Sequence, residues 1–237
     1  LQDAVIFYQL FEAESSTYTY LIADPESKEA ALIDSVKETA ARDLQLVTDL
    51  GLTLKYSLDT HLHADHVTGS GTLRQATGAK TGLAASANVD CVDLKLRDGD
   101  ELPLGSKKIK VIATPGHTDS CLSYYFGERL FSGDTLLIRG TGRTDFQGGS
   151  AETLFKSVTE KLFVLPSETQ VYPGHDYKGQ TSSTIGLERK FNPRLGEGKT
   201  LGDFVKIMSE LKLSEPKKIS VALPANKLCG LIDGALT

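Results

Sequence analysis

A chain of 237 residues, 40% of them hydrophobic and 24% charged, has the apolar material for a sizeable core and the charge of an ordinary globular protein. A net charge of −5 without clustered Lys and Arg argues against nucleic-acid binding, and no apolar run approaches the roughly 20 residues of a membrane span. The opening Leu1-Gln2-Asp3 lacks an initiator Met and any charged-then-apolar leader pattern, as a processed or trimmed N-terminus would.

In chain order, residues 5–11, 17–23 and 30–33 read as strands, the first two rich in β-branched and aromatic residues. Residues 37–50 have helical apolar spacing and stop at Gly51. A strand over 54–58 runs into Asp59-Thr60-His61, and a helix is expected over 68–76. Short strands follow at 108–113, 121–126 and 129–131, then a helix over 151–162 and a strand over 170–172. Residues 184–191 and 201–211 read as helices. Strands followed by helices recur in each half, which suggests two sheets packed together with helices outside. No composition break marks a linker, so residues 1–237 read as one domain with a short extension after about residue 180.

The three cysteines, Cys91, Cys121 and Cys229, are odd in number and contain no CxxC pair. This argues against a disulfide framework and reads as free thiols in a reducing compartment. Cys91 and Cys121 lack electropositive neighbours in sequence and read as small buried residues.

Histidine is the informative residue. There are five, and His61, His63 and His66 fall within six residues, in an HxHxDH order completed by Asp65. A loop at a strand end aims such side chains into one pocket, and imidazole competes well for divalent transition metals. A polar loop without metal is the ordinary reading of one histidine; three with an aspartate outweigh it. Thr114-Pro115-Gly116-His117, Phe131-Ser132-Gly133-Asp134 and Tyr172-Pro173-Gly174-His175 each follow a strand with a glycine-containing turn and a metal-capable residue. Every histidine in the chain is thereby used.

This set resembles the metallo-β-lactamase superfamily over roughly residues 15–180, and the fold it implies is α/β, a four-layer αβ/βα sandwich with metal at one edge of the two sheets. The stretch Leu137 to Gln147, of the form LIRGxGRTDFQ, then closely resembles the persulfide dioxygenases. Tyr172 to Tyr177, Asn192-Pro193-Arg194, the Pro224-Ala225-Asn226 to Cys229-Gly230 tail and the segment Phe11 to Thr17 fit the same family. The resemblance implies one Fe(II) per chain, held by His61, His117 and Asp134. It places His63, Asp65, His66 and His175 around the ligands, and Arg143, Arg194 and Tyr177 on the substrate, with Tyr177 also a candidate catalytic group. It implies glutathione persulfide and O₂ as substrates, sulfite and glutathione as products, and leans to a homodimer. The expected setting is the cytoplasm of a bacterium, or the mitochondrial matrix of a eukaryote once a transit peptide is removed.

Arg139 shares the loop of Arg143 but reads as structural. Cys229, in the shared tail and flanked by Lys227 and Gly230, reads as a redox-sensitive thiol. Spacing leaves one alternative open. Asp65, His66 and His175 are able to build a second metal site, as in a binuclear thioester hydrolase of the glyoxalase II kind.

Overall fold

Twelve strands form two six-stranded mixed sheets in the computed structural model; residues 5–231 are described. The first sheet has the order β1 (Ile6–Glu12), β2 (Thr17–Ala23), β3 (Glu29–Ile33), β4 (Thr53–Leu58), β5 (Lys80–Ala84) and β6 (Leu94–Leu96). The pairs β1–β2 and β2–β3 are antiparallel, and the pairs from β3 to β6 are parallel. The second sheet runs β12 (Ser183–Thr184), β11 (Gln170–Pro173), β10 (Arg129–Gly133), β9 (Leu122–Phe126), β8 (Lys107–Ala113) and β7 (Glu101–Leu104). All its pairs are antiparallel except β10–β11.

Three apolar seams give the layering. Tyr20, Ile22, Ile33 and Leu58 of the first sheet meet Leu104, Ile109, Tyr124, Phe126 and Phe131 of the second. The opposite face of the first sheet, through Leu21, Ala30 and Leu32, packs on Ala40 and Val47 of α1 (Ala40–Asp49) and Leu73 of α2 (Ser70–Thr77). The outer face of the second sheet, through Leu130 and Val171, is covered by α3 (Ala151–Lys156) with its continuation Ser157–Leu162, α4 (Ile185–Phe191) and α5 (Leu201–Ser209). Helix, sheet, sheet, helix is the expected four-layer sandwich.

The expected elements are all present, with ends moved by a residue or two. Two helices differ in kind. Residues 37–50 open with a 3₁₀ turn at Lys37–Thr39 before α1, and the 151–162 helix turns π-helical at Ser157. The structure adds β5, β6, β7, β12 and a last helix, α6 (Ile219–Asn226), which contains Pro224. Among the described residues no helix is long and apolar enough to cross a membrane.

One expectation fails. Cys91 and Cys229, 138 residues apart, form a disulfide, and Cys121 alone is free, buried behind the second sheet's His117 loop. The free-thiol reading of Cys229 is therefore corrected: its sulfur is already bonded and the residue is only 3% exposed. The pairing comes from tertiary contact between the tail and the turn after β5, which no local cysteine spacing encodes.

Candidate metal centre

The loop after β4 carries the histidine cluster, and its neighbours fix which ring nitrogens face inward. Asp34, at the end of β3 and fully buried, accepts from the Thr60 amide at 2.7 Å and from the Thr60 hydroxyl at 2.9 Å. Having given its one proton to Asp34, the Thr60 Oγ1 must accept from His61 Nδ1, at 3.0 Å. His61 therefore presents a bare Nε2. His117 Nδ1 lies 2.7 Å from the Arg143 carbonyl, which only accepts, so its Nε2 is likewise free. That Nε2 is 3.6 Å from Asp134 Oδ2. The partly exposed donor atoms of His117 and Asp134 join the buried His61 in one group, all within 4.8 Å of one another. Asp134 Oδ1 is buried and has no hydrogen-bond partner. Two bare imidazole Nε2 atoms, with the ring protons turned away on Nδ1, and one orphaned carboxylate oxygen are the donor set a divalent transition metal takes.

Gly142 makes this approach possible. A Cβ there would collide with the Asp134 carbonyl and the His117 ring, and the Gly142 amide donates to that carbonyl at 2.7 Å.

The other histidines are engaged differently. His63 Nε2 donates to the Asp34 carboxylate at 3.1 Å, with Asp59 at 3.9 Å. Burial works against a charged ring, but these carboxylates win and raise His63 to about 9. His66 Nδ1 bonds Asp65 Oδ2 at 2.9 Å, and burial lowers its pKa against that pull. His175 Nδ1 donates to the Ser16 carbonyl at 3.2 Å, and its Nε2 lies 3.4 Å from Asp65 and 3.7 Å from Asp134. His61 stays neutral at physiological pH: burial and the adjacent His63 and His117 rings push its pKa well down.

Above this cluster opens a cavity of about 440 Å³. Its floor holds His61, His117 and Asp134, and its walls include Leu137, Ile138, Phe146 and Arg194. The volume suits a small organic ligand.

A family model described as the metallo-beta-lactamase superfamily matches residues 13–175, more than half the chain. The bovine protein named "Persulfide dioxygenase ETHE1, mitochondrial" is 48% identical over 231 residues, covering 96% of this chain and 89% of its own length. The crystal structure of ETHE1 from Myxococcus xanthus is 52% identical with a TM-score of 0.92, covering 95% of this chain and 100% of that one. The chain belongs to the persulfide dioxygenase family. By contrast, the Dictyostelium discoideum protein named "Glyoxylase B2" is 30% identical, with 92% of this chain and 89% of that protein covered.

In this persulfide dioxygenase family member, His61, Asp65, His117, Asp134, Arg143, His175, Tyr177 and Arg194 line one cavity, His63 and His66 are not in its lining, and the two arginines differ in standing. Arg143 reaches the rim, but its fork is occupied: Nε and Nη2 bind the Asp145 carboxylate at 2.6 and 2.8 Å, and Nη1 donates to the Ser214 carbonyl at 2.7 Å. Arg194 donates through Nη1 to the Thr141 carbonyl and hydroxyl at 2.8 and 3.2 Å, and no described carboxylate pairs with it. Burial without such a partner lowers its pKa. The Asn192-Pro193-Arg194 motif positions it. Asn192 Oδ1 accepts from the Arg194 and Leu195 amides, while its Nδ2 donates to the Gly140 carbonyl on the facing loop. Tyr177 lies at the mouth, 72% exposed, its ring stacked on His175 with centroids 6.0 Å apart. Arg139 is structural as read: it binds Glu188, a fully buried carboxylate, at 2.8 Å.

Sequence reading missed Asp34 and Thr60, which set the imidazole tautomers. The polar Asp34-Ser35 pair closing an apolar strand was the available signal. It also assigned Asn226 only to a shared motif, without a contact.

Proposed function

We propose that this chain is an iron-dependent persulfide dioxygenase acting on glutathione persulfide, with Fe(II) held by His61, His117 and Asp134. The reaction balances as glutathione persulfide plus O₂ plus water giving glutathione and sulfurous acid, which ionises to sulfite. The observation that carries the reading is the convergence of those three donors on the floor of a cavity whose wall holds a half-buried arginine that pairs with no described carboxylate.

Fe(II) when bound would supply the redox chemistry that joins O₂ to sulfur. The chain's own part is binding and orientation. Arg194 is placed to take a glutathione carboxylate, an interaction in which the planar guanidinium excels. The apolar side chains of Leu137, Ile138 and Phe146 line the space beside the donors and keep bulk water from the sulfur. The Arg143 carbonyl and Thr60 hydroxyl hold the His117 and His61 rings in register. Tyr177, at the mouth, is placed to hydrogen-bond an arriving substrate.

One observation favours a second reading. His66 Nε2 is also buried and without a partner, beside Asp65 and His175, as a second metal position would require. A binuclear hydrolase of glutathione thioesters would use it. Metal analysis with parallel assays separates the two. O₂ uptake with glutathione persulfide at one iron per chain is expected. Two metals per chain with hydrolysis of S-lactoylglutathione and no O₂ demand would replace the dioxygenase reading.

A further inference from the structure

The C-terminal tail reaches back across the molecule to the histidine loop through one side chain. Asn226, the last residue of α6, is 4% exposed and has all its polar groups engaged by that loop. Its Nδ2 donates to the His63 carbonyl at 2.8 Å and to the His66 carbonyl at 2.9 Å, and its Oδ1 accepts from the Thr68 amide at 2.8 Å. A primary amide has two N–H donors on one nitrogen and an acceptor oxygen beside them, and these three contacts use them all. The partners lie 158 to 163 residues away in sequence.

We propose that Asn226 is a positioning residue for the metal centre, holding the backbone of residues 63–68 so that the histidine rings stand behind the metal donors. The path is short. The His63 ring sits 4.1 Å from the His61 ring and 4.2 Å from the His66 ring, centroid to centroid. The peptide planes fixed by Asn226 therefore set rings packed directly against a metal donor. Residues 59–68 form no helix or strand; an isolated bridge from Thr68 to Val36 ties down their end, and the His63 and His66 peptides in the middle are held by Asn226.

The surrounding tail is docked for the purpose. The Gly71 amide donates to the Cys229 carbonyl at 2.9 Å, where any Cβ on residue 71 would collide with that oxygen. Lys37 Nζ donates to the Gly230 carbonyl at 2.7 Å, and Cys229 is bonded to Cys91. Asn226 thus presents its amide from a fixed base. Outer contacts of this kind typically change metal affinity 10–100-fold.

The inference rests on the metal assignment of His61, His117 and Asp134 but not on the dioxygenase reading. The probe is Co(II), titrated into metal-stripped full-length protein and read by its visible absorption. Asn226→Asp keeps the side-chain size and the acceptor for Thr68 but removes both donors. It is expected to weaken Co(II) binding about 10–100-fold and to shift the ligand-field bands while circular dichroism stays parental. Should N226D fail to fold, Asn226→Ala removes the amide without setting a carboxylate against two carbonyls, and the same readings apply. Val47→Ala, a core truncation on the far face of the first sheet, measures what general destabilisation does. Parental affinity and spectrum in the folded Asn226 variant would overturn the proposal, as would an equal affinity loss in V47A. His61→Ala separates the premises: if it too binds Co(II) like the parent, the metal assignment fails rather than the role of Asn226 alone.

Discussion

Two clusters of metal-capable side chains stand side by side, their His61 and His63 ring centroids 4.1 Å apart, and what stands behind each ring divides them. In the His61–His117–Asp134 cluster the outer partners are neutral: a threonine hydroxyl and a backbone carbonyl. They orient the imidazoles so that each turns its Nε2 toward the site, where its lone pair can reach a metal. In the His63–Asp65–His66 cluster the outer or adjacent partners are carboxylates. Asp34 keeps a proton on His63, and Asp65 is drawn toward the His66 and His175 rings, which with the His63 ring hold its carboxyl well below the usual range against burial. Ionic partners spend their strength on one another, so similar residue types a few ångströms apart differ in readiness for a metal.

The strongest way to break this comparison is to remove one donor from each side. His61→Ala, His117→Ala or Asp134→Ala deletes one of the three proposed ligands, and complete loss of bound iron and of O₂ uptake is expected. His63→Ala or His66→Ala should weaken metal binding by about 10–100-fold and leave one metal per chain at saturation. Metal analysis of purified variants decides. If His66→Ala or His175→Ala emptied the site as fully as His61→Ala, both clusters would hold metal and the division would fall.

A second contrast, between the two arginines, repeats the lesson one layer out. Arg194 is a half-buried cation with only neutral partners among the described residues, whereas Arg143 already holds Asp145 in a bidentate pair. Arg194→Ala should cost a charge-assisted contact of about 1.5–3 kcal/mol, a roughly 10–150-fold rise in KM for glutathione persulfide. Arg143→Ala should raise KM by less than about tenfold, because a substrate carboxylate must first displace Asp145. Iron content should stay normal in both, since the Arg143 carbonyl that orients His117 survives the substitution. Steady-state kinetics with metal analysis checks the order. A larger effect at Arg143 would show that its ion pair with Asp145 opens for substrate.

The layers of the fold and the clustering of the metal-capable residues were legible because they are written locally. HxHxDH at a strand end, and three glycine turns each bearing a His or Asp after a strand, need only chain order to be read. What was not legible depends on partners distant in sequence. β5 carries Gly82 and β7 carries Pro103, residues that weaken a strand signal; Pro103 is tolerated because β7 lies at a sheet edge. α6 is apolar without helical periodicity and contains Pro224, so nothing in its pattern announces a helix. Asp34 and Asn226 reach the site from 27 residues before His61 and 160 residues after His66, and their roles follow from three hydrogen bonds each that no spacing rule expresses. The Cys91–Cys229 bond is the same case, read wrongly because the cysteine arithmetic looks only for neighbours and even numbers.

That bond sets the smallest of the expected effects, a change in the order in which thiols react. In the folded, unreduced protein none of the three cysteines should take up iodoacetamide. Cys91 and Cys229 are joined, and Cys121 is 2% exposed with burial pushing its thiol up to about 12. At pH 8 such a thiol is ionised in roughly one molecule in 10⁴, and the thiolate is the nucleophile. After mild reduction the two released sulfurs are not equivalent. Cys91 is half-buried on the turn between β5 and β6, while Cys229 lies under the docked tail at 3% exposure, its carbonyl still tied to the Gly71 amide. Access therefore favours Cys91, against the sequence expectation that Lys227 makes Cys229 the reactive thiol. Peptide mass spectrometry after timed alkylation should find Cys91 modified first, Cys229 later and Cys121 only on unfolding. Modification of Cys229 ahead of Cys91 would mean that the tail leaves the histidine loop once the disulfide opens, so that the covalent bond, and not the Gly71 and Asn226 contacts, holds it there.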